Sequence, residues 1–284
     1  MIYVFGGVNI DLLIKINGNA RMHESNPSKI TFKDGGVGRN VARAIGNYKP
    51  CELVSAFPNH LYQNIIKDLN SNNVSTKYSK IMSSGKSSMY IDVVDDNGVV
   101  IGASDMKIIE EISPEDVSLP VSLTSDSDIV IVDTNLSYDT VEYIVKNANG
   151  YKILDAVSSK KLEKVLDLVP LFDLVKVNKI EYEFIKDNPS KKVLLTTGDG
   201  LRIIEDEKEI LSFTHKTLKP VNPNGCGDTL LGTYVANLDK GDIEAFKIAI
   251  IASAASSQTD DATPTLEEIN KMNESELKIV WKEL

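Results

Sequence analysis

An α/β fold with a mainly parallel central sheet, covered on both faces by helices, is predicted by three observations. Short apolar runs alternate with helical stretches along most of the chain, glycine-rich loops follow several of these runs, and a hairpin pattern interrupts the rhythm once. Ile2 to Val8 reads as a buried strand ending in glycines, and Gly35 to Asn47 turns through glycines into a helical pattern. Further strands are expected at Glu52 to Phe57, Asp128 to Val132, Lys152 to Leu154, Leu174 to Val177 and Val193 to Thr196. Between them, His60 to Leu69, Asp139 to Asn147, Lys160 to Leu168 and Ile180 to Lys186 carry apolar residues at helical spacing. From Gly241 the pattern stays helical to Leu284, with a small-residue helix at Ile248 to Ser257. No repeat or long linker divides the chain, so residues 1–284 are expected to form one domain.

Two segments depart from the alternation. Leu12 to Phe32 is polar and turn-rich, and Ser87 to Ser104 alternates around Asp95-Asp96-Asn97-Gly98, where Asn-Gly would supply a hairpin turn. Both leave the sheet near its ligand-binding edge, so about 12–33 and 87–105 could form a small β lid over a site. A hairpin that merely extends the main sheet has the same pattern.

Composition narrows the class. The 284 residues are long enough to bury a full core, with 42% hydrophobic and 25% charged residues and no apolar run near the ~18 that a membrane span requires. A net charge of −10 argues against a surface that wraps nucleic-acid backbone, so neither nucleic acid nor membrane is an expected partner. The two cysteines, Cys51 and Cys226, have no metal-ligand spacing, and Met1 leads directly into a strand-like run; a cytoplasmic location is expected.

Five loops carry candidate chemistry. Asn9 and Asp11 lie just beyond the first strand and, two residues apart in extended chain, share a face from which both could grip hydroxyls; an Asx turn has the same spelling. Gly35-Gly36-Val37-Gly38-Arg39-Asn40 runs into a helix, with glycines that admit a ligand close to the backbone and an Asn that can both donate and accept. Asn178-Lys179-Ile180-Glu181 suits either water-mediated Mg²⁺ coordination or a helix cap. Thr196-Thr197-Gly198-Asp199-Gly200 is either a phosphate loop or a tight hairpin turn. In Asn224-Gly225-Cys226-Gly227-Asp228, glycines at the start of an apolar helix could turn N–H groups toward an anion while Asp228 takes a proton; a glycine turn capped by Asp reads the same way.

In their order and shared placement after strands, these motifs resemble the ribokinase-like (PfkB) family of sugar and nucleoside kinases over nearly the whole chain. The resemblance rests on the early N-x-D, on G-G-x-x-x-N at Gly35 to Asn40, on N-x-x-E at Asn178 to Glu181 and on G-x-G-D at Gly225 to Asp228. Ser25-Asn26-Pro27, the wording Gly-Gly-Val-Gly-Arg-Asn at Gly35 to Asn40, Ser104-Asp105-Met106 and Asp155-Ala156-Val157-Ser158 look most like the pseudouridine-kinase branch. The resemblance implies a three-layer ribokinase-like sandwich and ATP-dependent phosphorylation of a ribose 5′-hydroxyl, with another nucleoside or a pentose such as ribose as rival substrates and an inactive ligand-binding homologue as a further alternative. It implies that Asn9, Asp11, Gly35, Gly36 and Asn40 hold the sugar, that Asp228 is the base, and that Gly225, Cys226 and Gly227 form the anion hole. Thr197, Gly198, Gly200, Asn224, Gly225 and Gly227 would face ATP, and Asn178 and Glu181 would organise Mg²⁺ through water. A monovalent cation such as K⁺ belongs to the same implied set, and the exposed edge of the hairpin makes a homodimer through the lid a separate expectation. The family's glycine motif commonly opens Asp-Thr and has Ala between the glycines, where this chain has Asn222-Pro223 and Cys226. The backbone donors survive these changes, whereas the carboxylate missing at Asn222 bears on cation binding.

Overall fold

The computed structural model describes residues 1–58, 62–82, 88–216, 218, 221 and 224–283. The strands in chain order are β1 (Ile2–Phe5), β2 (Asn9–Ile16), β3 (Ser28–Gly35), β4 (Cys51–Val54), β5 (Ala56–Pro58), β6 (Val74–Ser75), β7 (Lys80–Met82) and β8 (Met89–Asp95). They continue with β9 (Gly98–Asp105), β10 (Ile129–Asp133), β11 (Tyr151–Asp155), β12 (Leu174–Asn178), β13 (Lys192–Thr197), β14 (Gly200–Glu205), β15 (Lys208–Thr214) and β16 (Val280–Glu283). The main sheet runs β16-β15-β14-β13-β12-β11-β10-β1-β4-β6. It is parallel from β13 to β6 and antiparallel across the three strands at the other end.

The parallel strands are apolar on both faces because both faces are covered. Val4, Leu53, Ile131, Ile153, Leu174 and Leu194 point into one core, packed against helices Val37–Gly46, Cys226–Ala236 and Asp242–Gln258. Their neighbours Phe5, Val54, Val132, Leu154, Val175 and Val193 point into a second core under helices Pro114–Ser122 and Tyr138–Asn147. The alternation by two thus sorts each strand between two helical layers.

A separate four-stranded sheet has the order β3-β2-β8-β9, with β2 parallel to β8 and the other pairs antiparallel. It begins at Asn9 rather than Leu12, so the polar segment read as turn-rich is two eight-residue strands around one loop. The β8-β9 hairpin belongs to this sheet and does not extend the main one. Its turn residues are Asp96-Asn97, with Asp95 pairing with Gly98; the Asp95 carboxylate accepts from Asn97 N at 2.7 Å, which moves the turn one residue ahead of the expected Asn-Gly.

Three further expectations change. The C-terminus is not helical to its end: Val280–Glu283 adds a strand to β15, where backbone pairing with an open edge outweighs local helical pattern. The expected helix at Lys160 to Leu168 is a single α-turn, Ser159–Leu162, followed by a 3₁₀ segment, Glu163–Leu171, that carries Pro170. Helix Pro114–Ser122, missed in the sequence, opens on a Ser113/Asp116 capping box with proline in its first turn. His60, Ser87, Asn222 and Pro223 lie outside the described residues.

Candidate active site

The carboxyl ends of β1, β10, β11, β12 and β13 share one edge of the main sheet, where ligands of open α/β folds bind. The register there sets charged residues side by side: Asp133 is opposite Asp155, and Asp155 is opposite Lys176. Lys176 donates to both carboxylate oxygens of Asp155, at 3.0 and 3.1 Å, and stands 3.9 Å from Asp228. Only 12% of its side chain is exposed. Burial alone would depress the Lys176 ammonium, but Asp155 and Asp228 hold it above the ordinary lysine value. Asp155 Oδ1 also accepts from Val157 N at 3.1 Å, and Val157 is a β-branched residue at φ 58°. Such strain is sustained only where the surrounding structure imposes it.

Asp228 enters from the first turn of helix Cys226–Ala236. The N-cap is Gly225 at φ 81°, where any side chain would overlap the carbonyl oxygen of Ala262, so glycine is required. Gly227 faces the lysine: an added Cβ would lie 3.1 Å from Lys176 Nζ. Asp228, with 13% of its side chain exposed, is pushed up to about 6, first by burial and further by the charges of Asp155 and Asp133, against the opposing effects of Lys176 and Asn40. Asn40 reaches it from helix Val37–Gly46, donating from Nδ2 to Asp228 Oδ2 at 2.9 Å across 188 residues of sequence. The structure therefore brings the glycine-loop Asn and the G-x-G-D Asp into direct contact, as neither motif alone could show.

The glycines ahead of Asn40 serve backbone packing. Gly36 has φ 101° and would overlap the Gly7 carbonyl with any side chain, and a Cβ on Gly38 would lie 2.7 Å from the Gly6 carbonyl carbon. The helix start is thereby pressed against the loop after β1. Gly35 leaves room for the Asp11 carboxylate, whose oxygens would lie 2.5 and 2.7 Å from a Cβ at Gly35. Asn9 and Asp11 do share a face: Asn9 Nδ2 hydrogen-bonds to Asp11 Oδ1. Burial raises the Asp11 carboxyl to about 6, partly offset by Asn9, and the nearby charge of Asp92 adds to the rise.

A cavity of ≈ 520 Å³ opens between the small sheet and the main body, lined among others by Asp11, Lys33, Tyr90, Asp92, Asn224 and Asp260. Its volume suits a small polar ligand. Asp11, from the small sheet, and Asn224, just ahead of helix Cys226–Ala236, both line it.

The remaining two motifs resolve differently. Asn178 caps helix Lys179–Ile185: its Oδ1 accepts from Ile180 N (2.8 Å) and Glu181 N (3.0 Å), while Glu181 accepts from Asn178 N (2.8 Å) and Nδ2 (2.7 Å). The spelling is thus a complete capping box. Each Glu181 oxygen keeps a lone pair for water, and burial raises this carboxyl against the opposing pull of the Asn178 N–H and Lys176, so a cation nearby would relieve it. One carboxylate with waters and phosphate oxygens is a set that fits Mg²⁺. Among the described residues no group of three or more His, Cys, Asp or Glu forms a metal cage. Thr197-Gly198-Asp199-Gly200 is the tight turn between β13 and β14: Thr197 pairs with Gly200, and its Oγ1 donates to the Gly200 carbonyl at 2.9 Å. It lies one strand from Asn178, which pairs with Thr196.

Lys176, Tyr90 and Asp92 escaped the motif reading. Lys176 had one available signal, a charged residue inside the buried run Leu174 to Val177.

The pfkB family carbohydrate kinase model matches residues 1–269. Pseudouridine kinase of Escherichia coli K12 is 28% identical over 255 residues, covering 81% of this chain and 81% of that protein. Ribokinase of Thermotoga maritima superposes with a TM-score of 0.82 at 20% identity, over 95% of this chain and 98% of that one. Ribokinase of Cryptococcus neoformans, solved with ADP, gives 0.75 at 18% identity, over 95% and 98%. No helix among the described residues is long and apolar enough to cross a membrane. With its ribokinase-like fold and a family match spanning nearly its full length, the chain belongs to the pfkB family of carbohydrate kinases, phosphotransferases that use an alcohol group as acceptor.

Proposed function

We propose that the protein transfers the γ-phosphoryl group of ATP to the ribose 5′-hydroxyl of pseudouridine, giving pseudouridine 5′-phosphate and ADP, in the cytoplasm. The observation that carries the phosphotransfer chemistry is the Asn40–Asp228–Lys176 cluster at a helix start beside the cavity. The choice of nucleoside is supported by the Escherichia coli relative.

Asn9, Asp11 and Asn40 hold the sugar hydroxyls, with Gly35 leaving room for the Asp11 carboxylate and Gly36 letting the helix start press on the loop after β1. Asp228 takes the proton of the 5′-hydroxyl as its oxygen bonds to the γ-phosphorus and the bond to the β-phosphate oxygen breaks. Gly225, Cys226 and Gly227 place a helix start and its dipole at the developing negative charge, which Lys176 also neutralises. Thr197, Gly198, Gly200 and Asn224 border the path of the ATP phosphates. Asn178 and Glu181 would hold Mg²⁺ through water, and the ion would supply neutralisation of the phosphate charge. Positioning and charge neutralisation supply most of the acceleration in such a transfer. The small sheet acts as a lid that excludes water.

The lid also suits pairing with a second copy of the chain. Phe32, Ile91 and the Ile14–Ile30 pair alternate along their strands with cavity-lining residues such as Lys33, Tyr90 and Leu13, giving the other face an apolar character; Ile30, Phe32 and Ile101 are more than half exposed.

A Mg²⁺-ATP assay over pseudouridine, uridine, adenosine, inosine and ribose tests the function. Pseudouridine should give the highest kcat/KM. Preference for ribose would replace the proposed substrate, and no ATP consumption with any acceptor would leave an inactive binding protein.

A further inference from the structure

Beyond the sugar-holding end of the cavity, the lid carries a second polar group that the phosphotransfer chemistry does not use. Tyr90, Asp92 and Val94 are alternate residues of β8, and all three line the cavity. Asp11 pairs with Tyr90 across the β2-β8 register and Leu13 with Asp92, so Asp92 stands one diagonal step from Asp11. Such diagonal neighbours lie ~7–8 Å apart, about the span of a pentose ring with a hydrogen bond at each end. The Tyr90 hydroxyl is raised by burial and by its hydrogen bond to the Asp92 carboxylate. Asp92 Oδ1 itself is closed off from solvent and has no hydrogen-bond partner among the described residues. Leu13 and Val94 flank Asp92 on the cavity face, and the Tyr90 hydroxyl stands beside its carboxylate. On the other side the partner of Asp92 in β9 is Gly102, where an added Cβ would come within 3.3 Å of the Tyr90 hydroxyl and 3.4 Å of Asp92 Oδ1. The lid therefore has no side chain where one would crowd the carboxylate.

An orphaned buried acceptor costs free energy unless a ligand supplies the donor. A free pentose at Asp11 ends short of this position. A nucleoside carries its base there, and the base must offer an N–H. Resting on the nucleoside kinase reading above, we propose that Asp92 selects the base by accepting the N1–H of a C-linked uracil, a donor that an N-linked uracil lacks. Apolar walls at Leu13 and Val94 hold the ring edge while the carboxylate reads its donor. A site built to satisfy a buried polar group rejects the analogue that cannot.

The test compares pseudouridine with N1-methylpseudouridine, which differs only at that donor, in the intact enzyme and in Asp92→Ala, with Asp92→Asn as a shape-preserving second variant. The wild type should favour pseudouridine by about 10- to 100-fold in kcat/KM, the range for a hydrogen bond to a charged group. Asp92→Ala should bring the ratio to within about threefold of unity, and Asp92→Asn, which retains one acceptor, should fall between. A purely structural role would lower both substrates together and leave the ratio intact, which would overturn the proposal. So would a wild-type ratio near one. Calorimetric titration of the two nucleosides reads the same ratio in binding if a variant turns over slowly. A wild type that phosphorylates ribose but neither binds nor phosphorylates pseudouridine defeats the substrate reading, and this inference with it. Activity on pseudouridine with a ratio unmoved by Asp92→Ala defeats the inference alone.

Discussion

Replacing Asp228 by Asn should slow the enzyme and stabilise the fold together. The Asp228 carboxyl is raised from 3.8 to about 6, a value that already includes the attraction of Lys176 and the Asn40 hydrogen bond. At 1.36 kcal/mol per pH unit, the ionised form is disfavoured in the folded state by about 3 kcal/mol. Because the folded carboxyl titrates above the unfolded one, the folded state keeps its proton between the two values. Stability from this group is present below about pH 4 and is lost as pH rises through about 6, so at neutral pH the full penalty stands. Asp228→Asn removes it. The amide oxygen of the variant can still accept from Asn40 Nδ2, and Lys176 keeps both oxygens of Asp155. The variant should therefore gain about 1–3 kcal/mol over wild type at pH 7.5 in urea unfolding, with the difference shrinking toward pH 4.5, while kcat falls at least ~10²-fold for loss of a positioned base. Equal or lower stability of the variant at pH 7.5 would refute the argument that burial of this charge dominates its environment. Near-normal turnover would refute its role as base.

In wild type, kcat/KM should fall as pH drops through about 6, with a slope approaching two, because Asp11 and Asp228 both titrate there; a pH–rate profile flat to pH 5 would contradict this. Glu181→Gln should raise the Mg²⁺ concentration needed for half-maximal rate while keeping the helix cap partly satisfied through Asn178 N, and an unchanged Mg²⁺ titration would remove Glu181 from metal ordering. Phe32→Asp places a charge on the apolar outer face of the lid, and light scattering should find wild type as a dimer and the variant as a monomer; a monomeric wild type would end the dimer proposal.

The alternating architecture was legible in the order of residues, since apolar runs buried on both faces have few other solutions, and the motif residues could be placed after their strands on the same ground. Short-range chemistry was legible as well: the capping box at Asn178 and Glu181 and the glycine at 225 are local solutions to local backbone needs. The C-terminal strand was not, because Val280–Glu283 is extended only through its pairing with β15. Nor was the site as a unit. Asn40 meets Asp228 across 188 residues, and Lys176 meets Asp155 only because two strands share a register. Asp92 has no motif, and its role depends on the face of β8 it occupies and on the glycine opposite. Burial and cross-strand register, which raise Asp228 and leave Asp92 Oδ1 without a partner among the described residues, are properties of the folded chain. A carboxylate in sequence is only a residue type, and its folded surroundings make it a solvated charge, a structural partner or a base.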